Sequence, residues 1–277
     1  MKGGGKVFLF LGIASIYVIF QNGLGVIITK VTDMHPLCGL LTGSITLTGG
    51  HATGVVYANI FSQKYNIKGA MELAMATATF GLILGGIVGG PVAKKLIKNY
   101  NLKPENKAKE EFENIITYNT QVKDNVTPKQ MIETILLIAF CITMGKSIYE
   151  FCQNFNIPLP SFIWTLLVGI IVTNVCDITK IYKIDKKCVD LWGTMGLSMF
   201  LAMSLISLKL WHLMNLATPI FFIITAQTLL VITYSYFVTF RVMGKNYDAA
   251  IIAAGHCGFA LGSTPTAIAN MEAIVNN

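Results

Sequence analysis

The most constraining feature of the chain is a series of long runs that carry few charges. Residues 7–28, 70–92, 131–152, 159–176, 189–211 and 219–240 each come close to, or exceed, the roughly 20 residues a helix needs to cross about 30 Å of hydrocarbon. Lipid offers no partner to backbone N–H and C=O groups, so such runs must satisfy them internally, as helices. Composition excludes the alternatives. Only 13% of residues are charged and 53% are apolar, whereas a soluble domain carries about 25% charged residues. That leaves too little charge to cover a water-exposed surface, and disorder needs the opposite balance. The expected class is an all-α polytopic membrane protein.

The net charge of +7 does not point to nucleic acid. Its lysines fall in short clusters between apolar runs, Lys94, Lys95 and Lys98 in one and Lys180, Lys183, Lys186 and Lys187 in another. Cytoplasmic loops of membrane proteins carry this bias. Six scattered cysteines without a CxxC pair support neither a disulfide framework nor a transition-metal site. The basic start, Met-Lys-Gly-Gly-Gly-Lys, precedes an apolar run too long for a signal peptide.

Two further apolar stretches differ from spanning helices. Residues 36–61 contain SITLTGGHATG (44–54), and residues 247–275 contain GHCGFALGSTPTAIANM (255–271). Glycines let the backbone leave helical geometry, and Pro265 removes a donor inside the second stretch. Non-helical backbone at membrane depth needs cover from protein or a water-filled cavity. Both stretches are therefore expected to be re-entrant hairpins, each entering and leaving on one side. Placing Lys2 and Lys6 in the cytoplasm puts every dense basic cluster there too, and makes the hairpins enter from opposite faces.

The hairpins occupy matching contexts. A run carrying Gln21 precedes a Gly-His step at His51, and a run carrying Gln227 precedes another at His256. Opposite insertion with this pairing indicates an inverted repeat, an architecture of secondary transporters. Residues 1–98 would hold the latter part of the first repeat, 99–130 a cytoplasmic linker, and 131–277 the second repeat. The copies match only if spans are added at both ends, so a fragment of a ten-span protein is expected.

The motifs GGHATG (49–54), ELAMATATFGLILGGIVGGPVAKKL (72–96), FLAMSLISLKLW (200–211) and GKNYDAAIIAAGHCGFALGSTPTAIANM (244–271) carry a resemblance. With them the chain resembles the bacterial sodium/glutamate symporters over nearly its whole length except the central polar loop. The resemblance implies a bacterial plasma-membrane transporter, not an enzyme, that takes up L-glutamate with sodium as coupling ion and needs no cofactor. It also implies ten spans, two re-entrant hairpins, a homodimer and elevator motion. Family members usually read GGHGTG, and a methyl at Ala52 would strain a position that required positive φ.

Sodium is coordinated by oxygens, often carbonyls freed where a helix unwinds. Ser44, Thr46, Thr48 and Thr53 in the first hairpin can supply them, as can Ser263, Thr264, Thr266 and Asn270 in the second. The plain alternative is that these groups bond their own helix one turn back. Gly49 and Gly50, with Gly255, Gly258 and Gly262, would allow close backbone approach. Helix N-termini at the hairpin tips would aim N–H groups at the carboxylates of glutamate. His51 and His256 either donate to substrate or are buried, hydrogen-bonded histidines. Glu72 and Asp248 are candidates because intramembrane charges are functional by default, although both can reach the interface. The overlapping GxxxG steps from Gly81 to Gly90 indicate close helix packing. A channel, an intramembrane enzyme and an inactive remnant are the rival readings.

Overall fold

The structure is a computed structural model describing residues 4–103, 127–153, 161–180, 182, 184–207 and 210–275. Most of the expected cytoplasmic linker, 104–126, lies outside the described residues. In order, the helices are α1 (Gly4–Val31), α2 (Pro36–Leu40), α3 (Gly50–Tyr65), α4 (Ala70–Asn99), α5 (Pro128–Gln153), α6 (Ser161–Thr179), α7 (Lys186–Ser207), α8 (Leu210–Tyr234), α9 (Phe240–Val242) and α10 (Tyr247–Val275). Two π-helical turns, Leu41–Ile45 and Ser235–Thr239, extend α2 and join α8 to α9. Among the described residues, six helices are long and apolar enough to cross a membrane. They are not the six runs read from the sequence. Of the run at 189–211, α7 holds residues 189–207 and α8 residues 210–211, none of them within the set, whereas Tyr247–Val275 is.

The chain forms two compact units, one of residues 1–117 with 204–277 and one of residues 118–203. Helices α8 and α10 share the first unit with α1–α4. The smaller unit is set up by local signals. Thr127 and Gln130 form a reciprocal capping box: Thr127 N–H donates to Gln130 Oε1 (2.9 Å) and Gln130 N–H donates to Thr127 Oγ1 (3.3 Å), with Pro128 at the first helical position. Helix α5 therefore starts inside the stretch 99–130 expected to be linker. Asp185 caps α7 by accepting from Lys187 N–H (2.9 Å). Gly145 lets α5 lie directly on the Thr165 backbone of α6, where any side chain would clash.

In the larger unit, α10 is not one rod. Gly262 (φ −131°, ψ 18°) and Ser263 (φ 63°, ψ −171°) leave helical geometry. Across that break the chain folds back. A Cβ at Gly255 would strike Met271, and one at Gly258 would strike the Thr266 carbonyl. The arms 247–261 and 264–275 run roughly 22 and 18 Å, each short of the roughly 30 Å hydrocarbon core. The first glycine-rich stretch breaks too, at Gly43 (φ −96°, ψ −135°) and again at Gly50 (φ +77°). Cys38, Leu41, Ala58 and Phe61 from its two sides share one apolar core with Leu73 of α4 and Ile220 of α8.

Helix α4 carries the second hairpin on a glycine face. An alanine at Gly81 would meet the Leu261 carbonyl, one at Gly85 the Gly262 nitrogen (3.2 Å), and one at Gly89 the Asn270 side chain. The fourth-residue spacing puts all three on one face. Close packing thus holds for Gly81, Gly85 and Gly89, against the broken helix α10, and not for Gly90, whose added Cβ would meet nothing within 4 Å.

Candidate functional site

The tips of the two broken segments meet. A Cβ at Gly50 would lie 3.5 Å from both Cβ and Oγ of Ser263, and both residues have positive φ. Helix α3 starts at Gly50, and the second arm of α10 starts just after Ser263, with Pro265 in its first turn. Two helix N-termini therefore open at the same place, each with N–H groups that lack a helical acceptor. At the end of the first arm, the Ala260 carbonyl accepts from Gln21 and Thr48 and the Leu261 carbonyl packs against Gly81 of α4.

Gln21 of α1 ties these tips together. Thr48 Oγ1 donates to Gln21 Oε1 (2.9 Å), and Gln21 Nε2 donates to the Ala260 carbonyl (2.8 Å). Gln227 of α8 in turn donates from Nε2 to the Gln21 carbonyl (2.8 Å). Both glutamines are fully buried, and Gln227 Oε1 has no partner. The neighbouring Asn22 accepts from Ser44 N–H (3.0 Å), at the break beside Gly43.

Of the first-hairpin candidates, Gly50 meets Ser263 and Thr48 reaches the Ala260 carbonyl (3.4 Å), while Ser44, Thr46, Gly49, His51 and Thr53 are their near neighbours in sequence. The Thr46 hydroxyl is buried without a hydrogen-bond partner, and Gly54 leaves room beside it, since a Cβ there would be 3.0 Å away. Thr53 donates to the Gly49 carbonyl (3.0 Å), the plain one-turn-back bond. His51 is half-buried with Nε2 3.3 Å from Thr79 Oγ1. Thr79 gives its own proton to the Met75 carbonyl (2.8 Å), so His51 Nε2 is the donor in that contact. Ala52 lies within α3 at negative φ, so its methyl imposes none of the strain considered for it.

The second-hairpin candidates separate into two groups. Gly262, Ser263 and Thr264 form the tip, with Thr264 exposed. Thr266 donates back to the Gly262 carbonyl (2.8 Å). Gly255 and Gly258 lie where the arms touch, and Asn270 joins arms to scaffold, donating to the carbonyls of Gly85 (2.8 Å) and Ala254 (3.3 Å). His256 is completely buried among the rings of Phe10, Tyr17 and Tyr234, with centroids 5.2–5.8 Å away. Its Nδ1 is 2.7 Å from Thr239 Oγ1. Its Nε2 is buried without a hydrogen-bond partner, so only one ring nitrogen is satisfied. Glu72 and Asp248 occupy the first turns of α4 and α10, the former buried and the latter half-buried. Glu72 is roughly 13 Å along α4 from Gly81.

Sequence reading took Gln21 and Gln227 only as markers of a repeat and passed over Asn22 and Thr77, whose buried hydroxyl is unpartnered. The signal was present in each case as a polar side chain within an apolar run.

A family model described as sodium/glutamate symporter matches residues 1–277. The sodium/glutamate symporter of Escherichia coli is 44% identical over 275 residues, covering 99% of this chain and 68% of the relative. That of Haemophilus influenzae is 40% identical over 278 residues, covering 100% and 69%. No solved structure matches. A symporter is a transporter rather than an enzyme, and the long apolar helices make this chain a multi-pass protein of the plasma membrane. With its family model matched from first residue to last, the chain belongs to the sodium/glutamate symporters.

Proposed function

We propose that the chain carries out sodium-coupled symport of L-glutamate, with the junction of Gly50 and Ser263 as the centre of its binding site. The observation that carries this reading is the meeting of two broken helical segments at their tips. Such a junction offers both halves of the chemistry. Helix N-termini at α3 and at the second arm of α10 present N–H donors to carboxylates. Carbonyls at the end of the first arm, with the hydroxyls of Thr46, Thr48 and Ser263, present oxygens to sodium. Both sets share one site, so bound sodium lowers the cost of placing the anionic substrate beside it. Coupling follows, because each ligand improves the site for the other.

Several finer features belong to the same proposal. The two broken segments are re-entrant hairpins, inserted from opposite faces and related as inverted repeats; the short arms and the Gln21–Gln227 contact support this. The assembly is a homodimer, and the binding unit moves as an elevator, as the resemblance to the family implies. His51 is the histidine placed to contact substrate, and His256 holds the core.

The test is uptake of labelled L-glutamate into proteoliposomes containing the protein extended at both ends to the ten spans that the resemblance implies. Uptake should saturate, require an inward sodium gradient, and vanish when choline replaces sodium. Sodium-independent uptake, or flux that rises linearly with substrate as through a pore, would refute the proposal.

A further inference from the structure

A groove of about 640 Å³ lies between the ends of α4 and α8, remote in sequence from both hairpin tips. It changes character along its length. Ile87, Val88 and Ile232 line one part, whereas Lys95, Tyr100 and Tyr236 line another. Ile87 and Lys95 are two turns apart on α4, roughly 12 Å. At the polar end Lys95 Nζ sits 5.9 Å from the Tyr236 ring centre, and Arg241 sits 5.6 Å from that of the adjacent Phe237. Asn99 Nδ2 donates to the Tyr236 hydroxyl (2.9 Å), fixing that ring at the mouth.

Among the described residues that line the groove, the one charge is that of Lys95. No Asp or Glu occurs from Leu73 to Pro104 or from Trp211 to Tyr247, the stretches that build the groove and its rim. Among the described residues neither Lys95 nor Arg241 forms an ion pair, and both are exposed. An apolar trough that ends in the Lys95 cation and two tyrosines, with Arg241 beyond the lining against the Phe237 ring, matches an amphiphile with an anionic head. We infer that this groove is a binding site for an anionic phospholipid. Its acyl chain lies along Ile87, Val88 and Ile232, and its phosphate lies between Lys95 and Arg241. The substrate junction shares none of these residues, so the inference stands apart from the proposed transport site.

The test uses the full chain purified in neutral detergent, with native mass spectrometry reading lipid retained after addition of phosphatidylglycerol or phosphatidylcholine. Two basic side chains at about 1 kcal/mol each predict a preference of roughly thirtyfold for phosphatidylglycerol. The double variant Lys95→Gln/Arg241→Gln should lose that preference while still retaining some of either lipid. Thr233→Trp, which fills the groove from an exposed position on its wall, should weaken retention of both. Glycerol 1-phosphate, a headgroup without chains, should not compete at equal concentration. Melting curves in lipid-free detergent show that the variants are folded. Equal retention of the two lipids by the unmodified chain would overturn the inference, as would an undiminished preference in the double variant or full competition by the headgroup alone.

Discussion

At φ 63° and ψ −171°, Ser263 occupies a region of backbone space essentially reserved for glycine, and strain of about 1–3 kcal/mol persists there only because the surroundings impose it. The hydroxyl and the strain can be separated by substitution. Ser263→Gly should raise the melting temperature by relieving strain, whereas Ser263→Ala keeps the strain and should not. If the hydroxyl binds sodium, both variants should require several-fold more sodium for half-maximal uptake. Gln21 makes a different demand. Gln21→Leu would remove the nearer donor to the buried Ala260 carbonyl and the nearer acceptor of the Thr48 hydroxyl, leaving only the 3.4 Å contact between those two groups, at about 1–3 kcal/mol in all. We expect a lower melting temperature and loss of most uptake. A Gln21→Leu protein with unchanged sodium dependence would show that the network does not hold the tips.

At the scale of elements, the glycine face of α4 decides how closely the second hairpin approaches. An added Cβ at Gly81 meets carbonyl backbone and the Leu47 side chain, and at Gly89 it meets Asn270 and the Ala254 carbonyl (2.9 Å). Backbone cannot move aside as a flexible side-chain end can. Gly81→Ala should therefore separate α4 from the hairpin and lower thermal stability by about 1–3 kcal/mol, the usual cost of overpacking. Gly90 provides the control on the same helix, because nothing lies within 4 Å of its added Cβ. Gly90→Ala should be neutral or stabilising by up to about 1 kcal/mol through helix propensity alone. Thermal unfolding of the two variants in one detergent checks the contrast.

For the whole molecule, the consequence of the proposed arrangement is sidedness. Lys68 lies just beyond the base of the first hairpin and Lys245 just before the second, and both are exposed. Opposed insertion predicts that Lys68→Cys reacts with an impermeant maleimide from outside intact cells, whereas Lys245→Cys reacts only after the membrane is opened. The native thiols at Cys38, Cys188 and Cys257 are buried, whereas Cys141, Cys152 and Cys176 are partly exposed and are replaced by serine in the protein that is labelled. Reaction of both positions from the same side would rule out opposed hairpins. The glutamine contact between α1 and α8 also joins residues 206 apart in sequence, so it forms only after most of the chain is made.

What the sequence determined by itself is the class and its interruptions. Lipid leaves backbone groups no partner, so long uncharged runs had to be helices, and clusters such as Ser44–Gly54 and Gly262–Pro265 had to break them. These properties are local, and a window of residues contains them. The environment of a single side chain is not local. His51 and His256 stand in the same Gly-His step, yet one meets Thr79 beside a hairpin tip and the other is enclosed by Phe10, Tyr17 and Tyr234. Ala52 could be cleared of strain only once positive φ was found at Gly50 instead. Gln21 became the tie between the hairpins through a carbonyl 239 residues away. Tertiary structure alone decided these points, because burial and hydrogen-bond partnership are set by which distant segments pack together.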